Sequence, residues 1–434
     1  MSGKLTAVLR AYRLLSAAAT PLVPLLLARR LKRGKEHRAR LSERRGETRI
    51  ERPVGALVWL HAASVGELAS VLPLIGRIRS RGMNMLVTTG TVTSGGLAEQ
   101  RLPRGVIHQF VPVDVPHFMR RFLGHWQPDL AMFVESDLWP NMMIETSLRG
   151  VPMILVNGRL SENSYRRWRY VPATIVNLLR RFDLCLASTP GDAERLSELG
   201  APRVVTTGNL KLDVPAPAAD SAKLAALSGA IGGRQVIAAA STHAGEDGFV
   251  IEAHARLRNH FPGLLTLIAP RHPERGQGVG KIATAAGLKA RLRSRGELPD
   301  ASTDIYVADT MGELGVIYRV APAVFVGGSL VRHGGQNPIE AAKLGAAILH
   351  GPYVWNFAEI YSALDNVHGA ELVTDADRLT AGFGAWLGNP DARAQVATTA
   401  RATVDALGGA LDRTLQSLDP YLMQLQLRQR AYNA

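Results

Sequence analysis

The sequence predicts an α/β protein of two doubly wound, Rossmann-like domains flanking an interdomain cleft, preceded by an N-terminal membrane anchor. Length is the first observation behind this. At 434 residues the chain exceeds one ordinary core, and two domains of roughly 200 residues are the natural division. Patterning is the second. From Leu57 onward, apolar runs of four to six residues alternate with helical periodicity, as in a parallel sheet covered on both faces. Composition is the third: 46% hydrophobic residues with a mean hydropathy close to zero describe a folded chain.

Residues 1–50 form a segment of their own. Leu14–Ala28 carries no charge, yet it is short for a membrane span and contains Pro21 and Pro24. Between Arg29 and Arg49 ten Lys/Arg face only Glu36, Glu43 and Glu47, a local balance of +7 that holds half of the net +14. Concentration of charge behind an apolar stretch points to membrane lipids, not nucleic acid, with the basic flank and all that follows on the cytoplasmic side. A secretory signal has its charges ahead of its apolar region, the reverse of this order. Such an anchor either spans the bilayer or lies in one leaflet.

The first domain is expected over residues 51–213, with strands at Leu57–Leu60, Met85–Thr88, Val106–Phe110, Leu130–Val134, Met153–Val156, Leu184–Ala187 and Val204–Thr206. A Pro/Ala-rich stretch from Val214 to Asp220 marks a linker assigned to 214–233. The second domain, with C-terminal helices, is expected over 234–434, with strands at Val236–Ala240, Leu264–Ala269, Ile305–Val307, Ala323–Val326 and Ala346–Leu349. The single cysteine, Cys185, lies in an apolar run and reads as a buried strand residue in a reducing compartment.

Ligands of doubly wound sheets bind beyond the carboxyl ends of the strands, and the notable residues fall there. After Ala323–Val326 come Gly327, Gly328, Ser329, Gly334 and Gly335, then a helix opening at Asn337-Pro338-Ile339-Glu340. Asn at the cap and Pro at the first helical position are a strong start signal, and a bare glycine loop at a helix N-terminus is suited to receive a phosphate. Glu340 is placed to accept from sugar hydroxyls. Pro270-Arg271 follows another strand, where an Arg can grip phosphate bidentately. Ser241-Thr-His243 and Asp309-Thr-Met311-Gly312-Glu313 complete the group.

In the first half, His61-Ala-Ala-Ser64 leads to Glu67 at the start of a helix. Glu67 is either a general base for a sugar hydroxyl or a carboxylate that complements the helix dipole. Glu135 and Asp137 close a strand, and Lys211 lies beside the linker. Arg159, Arg166 and Arg167, mixed with aromatics, either meet an amphiphilic acceptor or form a solvated basic helix. Gly276–Lys281 lacks the spacing and the Ser/Thr of a phosphate-binding loop, and Asp375-Ala-Asp377 reads as a helix cap. No His/Cys cluster has metal-ligand spacing, so neither a metal nor any cofactor is expected.

A strand, glycine loop and carboxylate-bearing helix late in a long α/β chain resembles the donor site of a GT-B glycosyltransferase. More specifically, seven segments resemble the 3-deoxy-D-manno-octulosonic acid (Kdo) transferases of lipopolysaccharide assembly. They are WLHAASVGE (59–67), ESDLWPN (135–141), GRLSENSYRRW (158–168), GNLKLD (208–213), PRHPER (270–275), DTMGELG (309–315) and GGSLVRHGGQNPIEAA (327–342). The resemblance implies transfer of Kdo from CMP-Kdo to lipid IVA at the cytoplasmic face of the inner membrane. It also implies that Glu67 is the base and that Glu135 and Lys211 stabilise the transition state. Pro270, Arg271, Met311, Gly312, Glu313, Asn337, Pro338, Ile339 and Glu340 would hold CMP. The rival classes are another GT-B transferase or epimerase, and a noncatalytic basic protein bound to anionic membrane.

Overall fold

The computed structural model describes residues 4–433 and divides into two compact units, Met1–Val214 with Gly408–Ala434, and Pro215–Leu407. The first holds β1 (Leu57–His61), β2 (Asn84–Thr89), β3 (Ile107–Phe110), β4 (Leu130–Val134), β5 (Met153–Gly158), β6 (Leu184–Ala187) and β7 (Val204–Thr206). They pair in parallel in the order β3-β2-β1-β4-β5-β6-β7, so the winding reverses between β1 and β4. The second holds β8 (Val236–Thr242), β9 (Leu265–Pro270), β10 (Ala290–Leu292), β11 (Ile305–Val307), β12 (Ala323–Val326), β13 (Ala347–His350) and β14 (Ala370–Leu372). Their order is β10-β11-β9-β8-β12-β13-β14, reversing between β8 and β12. Both units are thus parallel-sheet α/β domains. The three-residue edge strands β10 and β14 have no apolar run to announce them, which is why the pattern misses both.

Helices cover both faces of each sheet, so the central strands β1, β4, β5, β9 and β12 are buried along their whole length instead of alternating with water. In β1, Val58 and Leu60 join a core beneath the helix Val65–Ser80, built with Leu68, Val71, Leu74, Ile75 and Ile78. Leu57 and Trp59 point the other way, to Met119, Phe122 and Trp126 of the helix Pro116–Trp126. Cys185 is fully buried in this second core.

Three boundaries differ from expectation. The terminal helix Ala410–Asn433 belongs to the first unit, not the second: Leu415, Leu418, Leu422 and Leu425 enter the core beneath Val65–Ser80. Its apolar stripe is visible in sequence, but nothing local specifies which sheet it covers. The irregular connection is also shorter than 214–233, because Asp220 caps a helix Ser221–Ile231 through Lys223 N, and Leu227 and Ile231 are buried.

The third difference concerns residues 1–50. Helix Ala7–Ala18 and the helical segment Thr20–Lys32 are bent by 46° at the break between them, and no single helix among the described residues is long and apolar enough to cross a membrane. Leu9 enters the core with Trp59, while Val23 and Leu27 pack on Val115 and Phe118. The Tyr12 hydroxyl donates to Asp114 at 2.9 Å, Arg13 pairs with Glu145 at 2.7 Å, and Asn141 donates to Ser16 Oγ at 3.0 Å. Part of the basic cluster is folded in as well. Arg44 is buried, ion-paired with Glu36 and donating to the Val111 carbonyl, and Arg40 pairs with Glu43 at 2.7 Å. Arg29, Lys32, Arg33, Lys35 and Arg38 stay exposed.

Because Leu418 is wholly buried, Leu418→Ala should destabilise the first unit by about 2–5 kcal/mol, read as a fall in its urea-unfolding midpoint.

Candidate functional site

At the carboxyl end of β1, Ser64 caps the helix Val65–Ser80 and its oxygen accepts from Glu67 N. The Glu67 carboxylate folds back on that turn, accepting from Ala63 N at 2.8 Å and from the Ser64 hydroxyl at 2.7 Å. Burial raises the Glu67 carboxyl above the usual carboxylate range against those two hydrogen bonds, and the charges of Glu135 and Asp137 push the same way as burial. A carboxylate oriented by neighbours yet reluctant to ionise has the properties of a proton acceptor.

The fully buried His61 joins this group. Trp59 Nε1 donates to Thr88 Oγ1 at 2.9 Å, and Thr88 in turn meets His61 Nδ1 at 2.9 Å. With Thr88 donating to Nδ1, the imidazole hydrogen sits on Nε2 and points to Asp137 Oδ2 at 3.0 Å. Across the winding reversal, Glu135 leaves β4 with φ 59°, a left-handed conformation that a non-glycine residue adopts at a cost of roughly 1–3 kcal/mol. Its side chain forms an ion pair with Lys211 Nζ at 2.7 Å. Asn157, at the end of β5, is also left-handed at φ 53° and accepts from Leu210 N at 3.0 Å, fixing the turn that carries Lys211. The first unit therefore gathers Glu67, His61, Ser64, Asp137, Glu135 and Lys211 at the carboxyl edge of one sheet. It does not tie in all the expected basic residues. Arg159 follows β5 and is partly buried, but Arg166 is paired with Glu162 at 3.0 Å and Arg167 faces solvent.

The second unit repeats the plan around β8 and β12. Glu246, wholly buried, accepts from His243 N at 2.8 Å, Gly328 N at 2.7 Å, and Ser329 N and Leu330 N at 2.9 Å each. Gly327 N donates to the Ala240 carbonyl at 2.8 Å, and a Cβ on Gly327 would lie 2.7 Å from the Ser241 carbonyl. The N–H groups of Gly327, Gly328 and Ser329, expected to receive a phosphate, are thus already satisfied. The glycines are required by close packing of two loops, not by an open anion nest. The following helix is Ile339–Lys343, starting one residue later than expected and only five residues long. Asn337 Oδ1 accepts from Ile339 N at 3.0 Å, but one short turn carries little dipole.

What this loop leaves available is an arginine and a cluster of imidazoles. Arg271 follows β9, exposed, with its N–H bonded to the Thr242 carbonyl at 3.0 Å. Beside it the ring of His243 stacks on His333 at 4.1 Å and meets His272 edge-on at 5.9 Å. Burial, with the charges of His333, His272 and Arg271, pulls the His243 imidazole down to about 4. Glu340 is partly buried next to Asn337, and burial raises its carboxyl above the usual range despite Asn337 and Arg271. Met311 is 71% exposed, and Gly312 turns through φ 79°. Burial opposes ionisation of Glu313, but hydrogen bonds from Lys223 and from Arg293 at 2.8 Å prevail and hold its carboxyl below the usual range. Among the described residues no group of three or more His, Cys, Asp and Glu side chains is arranged to hold a metal ion.

Sequence reasoning missed Glu246, although a signal existed. Each sheet's first strand runs through a short polar turn into Gly-Glu at a helix start, Gly66-Glu67 in one unit and Gly245-Glu246 in the other. The partners of Glu313, Lys223 and Arg293, carry no comparable mark.

Two parallel-sheet α/β units, each with a winding reversal at its centre, make a GT-B-like fold. A solved structure titled glycosyltransferase from Rickettsia africae shares the fold at a TM-score of 0.57 with 11% identity, over 86% of this chain and 99% of that one. Residues 38–214 match the 3-deoxy-D-manno-octulosonic-acid transferase (kdotransferase) family. The 3-deoxy-D-manno-octulosonic acid transferase of Haemophilus influenzae is 33% identical over 89% of this chain and 92% of its own length. That of Bordetella pertussis is 36% identical over 87% and 90%. The chain belongs to the 3-deoxy-D-manno-octulosonic acid transferase family, and it is a glycosyltransferase.

Glu246→Ala would leave four buried N–H groups unanswered. It should cost the second unit on the order of 3 kcal/mol or more, with new protease cleavage between Gly327 and Gly335.

Proposed function

We propose that the enzyme transfers Kdo from CMP-Kdo to lipid IVA with inversion, Glu67 acting as general base. The single observation that carries this reading is the Glu67 carboxyl, held by Ala63 N and Ser64 and raised by burial beside the Glu135–Lys211 pair. Family membership supports the sugar and the transfer. The acceptor hydroxyl gives its proton to Glu67 as its oxygen bonds to the anomeric carbon, and the bond from that carbon to the CMP phosphate oxygen breaks on the opposite side. Glu135 and Lys211 steady the charge that develops during displacement. Arg271 meets the leaving phosphate, with Pro270, Met311, Gly312, Glu313 and the Asn337–Glu340 turn around the nucleotide. A single departing phosphate needs no more than such fixed cations.

The same reading places the enzyme at the cytoplasmic face of the inner membrane. The bent N-terminal helices lie in one leaflet: they are bonded to the first unit through Tyr12, Arg13 and Ser16, and they turn Val8, Leu14, Leu15, Leu22 and Leu25 outward. Exposed Arg29, Lys32, Arg33 and Lys35 sit where anionic headgroups would meet them.

Incubation with CMP-Kdo and lipid IVA should yield a product heavier by Kdo in mass spectrometry, and an unmodified acceptor refutes the reading. Glu67→Gln should lower kcat by about 10²–10⁴-fold while calorimetric CMP affinity stays unchanged. Since the base must be ionised, its raised pKa moves the rising limb of the rate–pH profile to higher pH than an ordinary glutamate would give. Glu67→Gln should abolish that limb.

Leu14→Asp combined with Leu25→Asp alters only exposed positions, 71% accessible each. The pair should leave the unfolding midpoint unchanged and reduce co-sedimentation with anionic vesicles. The residual binding should weaken as salt rises, because screening acts on charge and not on apolar insertion.

A further inference from the structure

Beside the Glu67 group the first unit contains a cavity of about 470 Å³ to which the notable residues described so far give no purpose. Leu26, Leu27, Val111, Val113, Trp139 and Met142 supply its apolar wall. The charged groups in the wall are occupied with one another. Arg30 and Arg44 both pair with Glu36, and the Asp114 carboxylate accepts from the Tyr12 hydroxyl, Asn141 N and Met142 N. His61 and Asp137, also in the wall, are bonded to each other. What the cavity offers an occupant is therefore mainly hydrocarbon contact.

Two features identify the occupant. Ser64 belongs to the same wall, and its hydroxyl is bonded to the Glu67 carboxylate, so whatever fills the cavity lies next to the proposed base. Leu26 and Trp139 line the cavity yet remain 48% and 46% exposed, making an open apolar mouth. Leu26 also continues the outward row of Leu22 and Leu25 on the N-terminal helices. A wholly polar ligand would leave the apolar wall unanswered, whereas a chain drawn from a leaflet would stay in mostly apolar surroundings.

We infer that this cavity is an acyl-chain site: it takes one hydrocarbon chain of the lipid acceptor and so brings the acceptor hydroxyl to Glu67. The inference rests on the reading of this unit as the acceptor side of a Kdo transferase. It assigns Leu26, Val113 and Trp139 to acceptor selection and gives the helix Val23–Lys32 a part in substrate recognition as well as membrane attachment. Each methylene moved from water into such a wall is worth roughly fourfold in affinity. The enzyme should therefore distinguish acylated from deacylated acceptors through KM.

The test compares two dispersed acceptors, tetraacylated lipid IVA and its fully deacylated bisphosphorylated disaccharide, with CMP-Kdo saturating. Leu26→Trp fills the mouth from an exposed helical position that tolerates a larger side chain, and Val113→Phe narrows the cavity from a second element. Leu15→Trp, exposed but outside the wall, is the control. Each filling variant should raise KM for lipid IVA on the order of tenfold, the equivalent of one or two methylenes excluded. The deacylated acceptor should be transferred to as in wild type, with CMP affinity and unfolding midpoint unchanged, and Leu15→Trp should alter neither acceptor. Equal effects on both acceptors, or on neither, overturn the acyl site while leaving the transferase reading intact. A wild-type enzyme that modifies neither acceptor overturns the transferase reading, and the acyl site falls with it.

Discussion

Four backbone N–H groups, from His243, Gly328, Ser329 and Leu330, converge on the buried carboxylate of Glu246, and the loops after both central strands of the second sheet take their shape from it. A carboxylate removed from water is tolerable only when its oxygens are answered. Here that requirement decides the path of the chain. The glycines at 327 and 328 let the backbone come close enough to answer Glu246, and the Arg271 guanidinium and three histidine rings are left beside the resulting platform.

The first unit uses the same device with one difference. Glu67 has only Ala63 N and the Ser64 hydroxyl, and it faces the charges of Glu135 and Asp137. Two donors orient it without satisfying it as fully as four satisfy Glu246. Corresponding carboxylates in two related architectures thus differ in how fully they are answered, four donors for Glu246 against two for Glu67. Strain is placed nearby: Glu135 and Asn157 both sit in the left-handed region at strand ends, one holding Lys211 by charge and the other holding its turn by a hydrogen bond.

Much of this was legible in the sequence because central parallel strands must be apolar on both faces. LVWLH, LAMFV and AVFV announce themselves as continuous runs, and the residues after them are then placed at the functional edge by topology alone. Edge strands such as Ala290–Leu292 escape because one side meets solvent and no run is needed. Glu67 lies at the first turn of its helix, where the strand and the small residues after it placed it, and Ser64 caps that helix three residues earlier. The reading of the glycine loop as a phosphate cradle failed because glycine reports only that backbones approach closely, not what approaches them. The approaching group was Glu246, far off in sequence. The packing of the N-terminal segment was hidden for a similar reason: composition records that Leu14–Ala28 is apolar, but Tyr12, Arg13 and Ser16 bind it through partners between Asp114 and Glu145 that no local pattern reveals.

The chain passes from the first unit to the second near Val214 and returns near Gly408. Leu415, Leu418, Leu422 and Leu425, which complete the core beneath the first sheet, consequently follow the whole second unit in sequence and are added after it. During synthesis the first unit waits with that face uncovered while the whole second unit, a contiguous stretch, emerges and folds on its own. The order of completion therefore differs from the order of translation: the discontinuous unit cannot close that apolar face until the contiguous one has been made.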